Sequence, residues 1–158
     1  MEPFVKTAKL VIGSPAFTHK DFLPVKYTCD GDNVNPPITI ESIPAGAKSL
    51  TLIVDDPDAL DGTFDHWVIW NIQPKEMINE NSAAGTEGKN SFGNTKYQGP
   101  CPPEGKAHRY FFKVYVLDKL LDAQPGSDKK TIEKAMKDHI LAEGEIIGLY
   151  HRSKYKSL

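Results

Sequence analysis

Three runs of apolar and β-branched residues dominate the chain and predict its central strands. Residues 49–54 (SLTLIV) and 67–72 (WVIWNI) are almost continuously apolar, and residues 110–117 (YFFKVYVL) form the longest run. Short apolar runs bounded by turn residues are typical of strands buried in a sheet. Weaker strand signals lie at residues 8–12, 38–40 and 145–151. The pattern therefore predicts a sheet protein built around three strong strands.

One helix is predicted near the C-terminal end. Ser127 or Asp128 can cap its first turn, because an oxygen of such a side chain accepts hydrogen bonds from the free amide groups there. Apolar residues then recur at helical spacing, at Ile132, Ala135, Met136 and Ile140. Gly144 can end the helix, and His139 falls on it as a packing or surface residue. Because strands outnumber helices and most lack a helical crossover, the predicted class is a mostly β sandwich or barrel-like fold.

Length and composition fit a single domain over residues 1–158, since a chain of this size can bury one sizeable core. Proline and glycine, 12 residues each, are spread along the chain, and no linker or internal repeat interrupts it. The formal net charge of −2 shows no basic excess, so nucleic acid is not an expected partner.

The apolar segments also bear on membranes and location. No apolar run approaches the roughly 20 residues that a membrane-spanning helix needs, so stable membrane insertion is not expected. The first 12 residues lack the long apolar core of a secretory signal. A cytoplasmic location is therefore predicted, and a mature form whose signal has been removed is the alternative. Two lysine-rich patches, Lys129–Lys130 and residues 154–156, are predicted to be solvated ends.

Two long loops carry the residues best suited to chemistry. Residues 55–65 join two strong strands and residues 91–109 precede the third, whereas a short hairpin needs only about two to five residues. Asp56 ends one strand, His66 begins the next, and His108 begins the longest run. If the first two strands pair as a hairpin, Asp56 and His66 lie close together. Since binding residues concentrate on ordered loops of a β scaffold, this carboxylate and two imidazoles form the candidate site.

Several kinds of chemistry can use one carboxylate and two imidazoles. Zinc or iron accepts such ligands, but the short ligand spacings of common metal motifs are absent. No GxSxG elbow marks a nucleophile, and Cys101 lies between two prolines. Imidazolium groups donate well to phosphate oxygens, and a nearby carboxylate fixes the imidazole tautomer. An anion pocket that uses no metal or cofactor is therefore the leading interpretation, and acid–base hydrolysis is a weaker one.

The two cysteines, Cys29 and Cys101, both lie beside turn residues. From their positions alone, two separate thiols and a bridge closing a loop of about 70 residues remain equally open.

Three segments taken together resemble the phosphatidylethanolamine-binding protein family, also called Raf-kinase-inhibitor-like proteins. They are residues 27–37 (YTCDGDNVNPP), 55–67 (DDPDALDGTFDHW) and 99–110 (GPCPPEGKAHRY), and with their spacers the resemblance covers residues 10–151. It implies a large antiparallel sheet packed on a smaller one, with one or two short peripheral helices. The chain is most similar to the shorter prokaryotic-type branch, which tends to carry both cysteines, and this makes Cys29 and Cys101 a candidate disulfide.

The resemblance also implies roles for particular residues. The family's anion pocket maps onto Asp56, His66 and His108. Matching lining positions are Ala59, Pro103 and Tyr110, and positions that order the loops are Asp58 and Arg109. Phe64 stands where animal members have a bulky aromatic residue at the pocket mouth.

These observations lead to one leading functional hypothesis and two alternatives. The leading one is a non-catalytic binding or regulatory protein that recognises a phosphate-bearing small molecule, a phospholipid head group or a phosphorylated side chain. The second is a protease inhibitor acting through an exposed loop such as residues 99–105, and the third is a phosphoester hydrolase. A protease or a kinase is the expected kind of protein partner, and both a monomer and a homodimer remain open.

Overall fold

Two β-sheets organise the part of the chain that the computed structural model describes, residues 7–153. The ends of the predicted domain, including the lysine-rich patch at residues 154–156, lie outside the described residues. In chain order the elements are β1 (Ala8–Lys9), β2 (Val11–Gly13), β3 (Asp21–Phe22), a 3-10 turn (Val25–Tyr27), β4 (Ile38–Glu41), β5 (Ser49–Asp56), β6 (Phe64–Ile72), β7 (Met77–Ile78), β8 (Thr86–Glu87), β9 (His108–Leu117), α1 (Lys129–Met136) and β10 (Ile140–Tyr150).

The larger sheet contains the three strands that the apolar runs predicted. Within residues 7–153 it has seven strands, in the order β1-β10-β9-β5-β6-β8, with β3 also pairing with β10. Its long strands β6, β5, β9 and β10 are antiparallel neighbours. The smaller sheet has the order β2-β4-β7. The predicted mostly β fold, a large antiparallel sheet with a smaller one and a short helix, is confirmed.

β5 is buried along its whole length because both faces of the large sheet are covered. On what we call the front face, Leu52 packs in one apolar cluster with Ile40 of the small sheet. On the back face, Ile53 packs in a second cluster with Ile132 and Met136 of α1. A strand covered on both sides has no polar face, which explains its continuous apolar run.

The helix is shorter than its spacing predicted. α1 ends at Met136, and Asp138 adopts a left-handed backbone conformation with φ 70°. Ile140 is the first residue of β10 and Gly144 lies within that strand, so the assignment of both to the helix was wrong. The apolar residue at position 140 fits a helix stripe and a strand equally well, and spacing alone cannot separate them.

Other local predictions had mixed outcomes. Asp128 caps α1, since its carboxylate accepts from the amide of Thr131 at 2.9 Å. His139 lies beyond the helix and its Nδ1 is 2.9 Å from Asp118. The predicted strand at residues 8–12 is divided between the two sheets, as β1 and β2. Lys129 is not a solvated end, because its side chain is only 17% exposed.

Within residues 7–153, no helix is long and apolar enough to cross a bilayer.

Candidate functional site

The candidate site lies where three neighbouring strands of the large sheet have their ends together. β5 ends at Asp56, β6 begins at Phe64 and β9 begins at His108. Since β5 pairs antiparallel with both neighbours, the end of β5 lies beside the starts of β6 and β9. The topology therefore brings Asp56, His66 and His108 to one edge of the sheet, as predicted for a hairpin of the first two strands.

A β-bulge aims His66 at the site. The register of β5 and β6 pairs Val54 with Trp67 and then Asp55 with Asp65, so that His66 is the extra residue on β6. Side chains alternate between the two faces of a regular strand. Trp67 belongs to the front cluster, so a regular strand would turn His66 to the back face. The bulge places it on the front face instead, as bulges near functional sites commonly do.

Asp56 is a buried carboxylate, 3% exposed, with two hydrogen bonds. Its Oδ2 lies 2.7 Å from Nδ1 of His108, and its Oδ1 accepts from the amide of Asp58 at 2.7 Å. An ionised carboxylate only accepts hydrogen bonds, so Nδ1 of His108 donates. Nε2 of His108 is then the ring nitrogen left for a ligand.

His66 is held in the same way by a main-chain group. Its Nδ1 lies 2.6 Å from the carbonyl oxygen of Gln98, which can only accept, so Nδ1 carries a proton. The ring is 4% exposed, with its centroid 5.3 Å from that of Tyr110 and 5.0 Å from that of Phe64. Burial lowers the pKa of His66 and outweighs the raising effects of the Gln98 carbonyl and Asp56. His66 is therefore neutral at pH 7, with Nε2 free to accept a proton.

All six residues predicted for the anion site surround one cavity of about 260 Å³: Asp56, Ala59, His66, Pro103, His108 and Tyr110. Their roles toward a ligand stay predictions, but their convergence from three strand ends and two loops is a fact of the fold. Burial, followed by the charge of Asp56, raises the pKa of Tyr110. Its phenol therefore stays a neutral hydroxyl.

Asp58 and Arg109 lie beside the cavity and clamp its loops. Nε and Nη2 of Arg109 donate to the two oxygens of Asp58 at 2.9 Å each, and the amide of Arg109 donates to it as well. The guanidinium beside it lowers the pKa of Asp58. This pair joins residues 57–63 to the start of β9. The loop-ordering role that the resemblance implies for both residues stays a prediction.

A disulfide fixes another wall of the cavity. Cys29 and Cys101 are bridged, with Cα atoms 5.4 Å apart, and Cys101 lines the cavity. The amide of Cys29 also donates to the carbonyl of Pro100 at 3.0 Å. Gly99 packs so closely on residue 27 that an added Cβ would overlap the main-chain oxygen of Tyr27. The candidate disulfide is thus formed, and it ties residues 97–103 to the segment around residue 29.

The structure adds residues that sequence reasoning did not single out. The Gln98 carbonyl fixes the His66 tautomer, and a main-chain acceptor leaves no signature in a sequence. Leu60 and Phe92 line the cavity while 86% and 45% exposed, and the Phe92 ring lies 4.7 Å from that of Phe64. These side chains give the cavity an apolar rim.

These side chains are poorly suited to bind a metal ion or to act as a nucleophile. Among residues 7–153 no three His, Cys, Asp or Glu side chains come together in a way that could hold a metal ion. Cys101 is oxidised in the disulfide and supplies no thiolate. The expectation that the site uses no metal or cofactor stays a prediction.

Comparisons with known proteins agree with this fold. The profile of the phosphatidylethanolamine-binding protein family matches residues 13–151. A UPF0098 protein of Pyrococcus abyssi is 49% identical over 154 residues, covering 91% of this chain and 86% of its own. A UPF0098 protein of Methanothermobacter thermautotrophicus is 45% identical over 145 residues, covering 87% and 95%.

Two solved structures share the architecture. A phosphatidylethanolamine-binding protein homolog, CT736 of Chlamydia trachomatis, has a TM-score of 0.87 and 35% identity, covering 93% of this chain and 100% of its own. YbcL of Escherichia coli, described as a member of the mammalian PEBP family, has a TM-score of 0.84 and 25% identity, covering 92% and 100%.

Proposed function

The chain belongs to the phosphatidylethanolamine-binding protein family, and from this membership we propose that it is a non-catalytic binding or regulatory protein. Its cavity at the ends of β5, β6 and β9 would hold a phosphate-like anion. The anion would be carried by a phospholipid head group, a phosphate-bearing small molecule or a phosphorylated side chain.

The observation that carries the proposal is the paired orientation of two imidazoles. Nδ1 of His108 is committed to Asp56, and Nδ1 of His66 to the carbonyl of Gln98. Within residues 7–153, Nε2 of neither ring has a hydrogen-bond partner, although both rings line the same cavity. Two Nε2 atoms at one small cavity suit a phosphate group, because each accepts from a P–OH group while its ring is neutral and donates to a phosphate oxygen when its ring is protonated.

The remaining polar groups support the same ligand. The carboxylate of Asp56 accepts from Nδ1 of His108 and so holds that imidazole ring at the cavity. The neutral hydroxyl of Tyr110 is a further donor in the lining. The carboxylate can also accept from a ligand ammonium, as a zwitterionic head group would present. The apolar rim of Leu60 and Phe92 suits a ligand whose phosphate is attached to an apolar group.

A binding role fits the state of these groups better than catalysis does. Both oxygens of Asp56 are engaged, one by His108 and one by the amide of Asp58, so neither is poised to attack a substrate. A hydrolase would have to turn over phosphoesters and lose that turnover in Asp56→Ala. Failure to detect turnover with a panel of phosphoesters supports the non-catalytic proposal.

Calorimetric titration tests the proposal with inorganic phosphate, phosphoethanolamine and phosphoserine. His66→Ala is expected to weaken binding of all three by about tenfold or more, since it removes a hydrogen bond to a charged group. His139→Ala is the matched control, because His139 pairs with Asp118 and does not line the cavity. This variant should bind as the native protein does. Binding that is absent in the native protein, or unchanged in His66→Ala, contradicts the proposal. Preference among the three ligands separates a lipid head group from a phosphorylated side chain.

The protease-inhibitor alternative has less support from the geometry. Gly99, Pro100 and Pro102 are buried, so residues 99–105 present only part of their backbone to a protease cleft. Inhibition of a protease that survives His108→Ala would favour this alternative over the anion pocket.

A cytoplasmic location remains part of the proposal, beside the disulfide of Cys29 and Cys101. Disulfides are uncommon in the cytoplasm except in hyperthermophiles. Thiol labelling of the protein in intact cells, with and without a reductant, measures whether the bridge forms there.

A further inference from the structure

Two carboxylates face each other on the back of the sheet, directly behind the candidate site. Asp55 and Asp65 are register partners on β5 and β6, and each immediately precedes a site residue, Asp56 or His66. The Asp55 side chain is only 1% exposed. Like charges directly opposite each other on a sheet are destabilising, so this register needs a cation.

Lys129, the first residue of α1, supplies that cation. Its Nζ lies 2.9 Å from Oδ2 of Asp55 and 3.2 Å from Oδ1 of Asp65, which bridges the two strands. Lys113 reaches Asp55 alone, at 3.0 Å, and its side chain is more exposed, 30% against 17%. Burial lowers the pKa of Lys129, but the two aspartates outweigh it and raise the pKa overall. Lys129 is thus a charged link between β5 and β6.

The bridged pair is the point at which the strand register shifts. Val54 pairs with Trp67, the next pair is Asp55 with Asp65, and the residue passed over is His66. Without the bulge, Asp55 would pair with His66. A slip of one residue moves side chains to the other face of the sheet, and His66 would then leave the cavity.

We infer that Lys129 is a positioning residue for the anion site: from the back of the sheet it holds Asp55 against Asp65, and so maintains the bulge that turns His66 into the cavity. Its predicted effect on anion affinity rests on the proposed function. Its effect on the placement of His66 does not.

The test compares three variants of the full chain. Lys129→Met removes the bridging charge and keeps a long side chain. Lys130→Met removes the same charge from the next residue of α1, which is exposed, and serves as the matched control. Lys129→Arg keeps a cation that can reach both carboxylates.

The main readout is the set of nuclear Overhauser contacts between the His66 and Tyr110 rings, whose centroids are 5.3 Å apart. The pKa of His66 is not used, because loss of any nearby cation would raise it without movement. We expect Lys129→Met to weaken these contacts and to reduce affinity for inorganic phosphate by about tenfold, the loss of one charge-assisted hydrogen bond. Lys130→Met and Lys129→Arg should retain both properties.

A folded Lys129→Met with native ring contacts and native phosphate affinity overturns the inference. If Lys129→Met does not fold, Lys129→Met/Asp65→Asn, which also removes the facing charge, decides the question. Weakened ring contacts in this folded variant support the inference. Native ring contacts in this variant, or its failure to fold, would mean that Lys129 serves overall stability, and either result overturns the inference. If the native protein binds no phosphate, the proposed function fails. Weakened His66–Tyr110 contacts in Lys129→Met would still support the inference about Lys129.

Discussion

Removal of the Cys29–Cys101 disulfide should destabilise the fold and loosen the cavity together. The double variant Cys29→Ser/Cys101→Ser leaves the sequence otherwise unchanged and avoids a lone thiol. In the native protein, the bridge holds the Cys101 wall of the cavity against the segment around residue 29. Its loss therefore affects global stability and anion binding by separate routes.

The magnitude follows from the length of the loop that the bridge closes. The two cysteines are 72 residues apart in sequence, and the chain-entropy model assigns such a crosslink about 4 kcal/mol. Unfolding entropy near 2.1 cal/mol/K per residue gives about 0.33 kcal/mol/K for 158 residues, so Tm should fall by about 12 °C. This is a large share of the roughly 5–15 kcal/mol by which domains are stable.

Differential scanning calorimetry of the native protein and the double variant measures the change in Tm. Phosphate titration at a temperature where both are folded measures the second effect, for which we expect weaker binding. The native protein treated with reductant should behave as the double variant does. A Tm within about 3 °C of the native value, or thiols in the purified protein that react with a thiol reagent without reductant, would contradict a stabilising disulfide.

Three further predictions concern the walls of the cavity. Sulfate, which has no titratable proton near neutral pH, should bind more weakly as the pH rises above the lowered pKa of His66, because Nε2 donates only when protonated; calorimetry from acidic to neutral pH that shows constant affinity opposes this. Asp58→Ala should cost at most about 1 kcal/mol at pH 7, as the Arg109 pair is partly exposed,. The pKa of Asp58 is lowered. The difference in unfolding free energy between the native protein and Asp58→Ala, measured with urea, should therefore disappear as the pH falls through that lowered pKa. Gly99→Ala should cost about 1–3 kcal/mol through its overlap with Tyr27,, and an unchanged urea midpoint would contradict that packing.

The central strands could be predicted because strands that are buried on both faces consist of continuous apolar runs. The runs at 49–54, 67–72 and 110–117 became longer strands that extend toward the cavity, to Asp56, Phe64 and His108. The added residues are mostly polar, and all of them except His66 fall in the predicted loops 55–65 and 91–109, although they belong to strands of the sheet. Polar residues at strand ends thus hide the strand boundaries at the position where the site forms.

The members of the site could be predicted, but the reason they meet could not. Asp56, His66 and His108 belong to segments that resemble a known family, and the fold brings them to one cavity. The bulge at His66 depends on the register of two strands, which no local pattern specifies. The Gln98 carbonyl and Lys129 act through tertiary contacts, and Lys129 was expected to be solvated because it stands beside another lysine.

The most direct test of the anion site is a long-range ¹H–¹⁵N spectrum of the histidine side chains during titration with inorganic phosphate. We predict that the Nε2 signals of His66 and His108 shift together and saturably, while their Nδ1 signals keep the protonated form fixed by Gln98 and Asp56. His139 should not respond. Two imidazoles that remain unmoved at saturating phosphate, or that shift no more than His139 does, would contradict it.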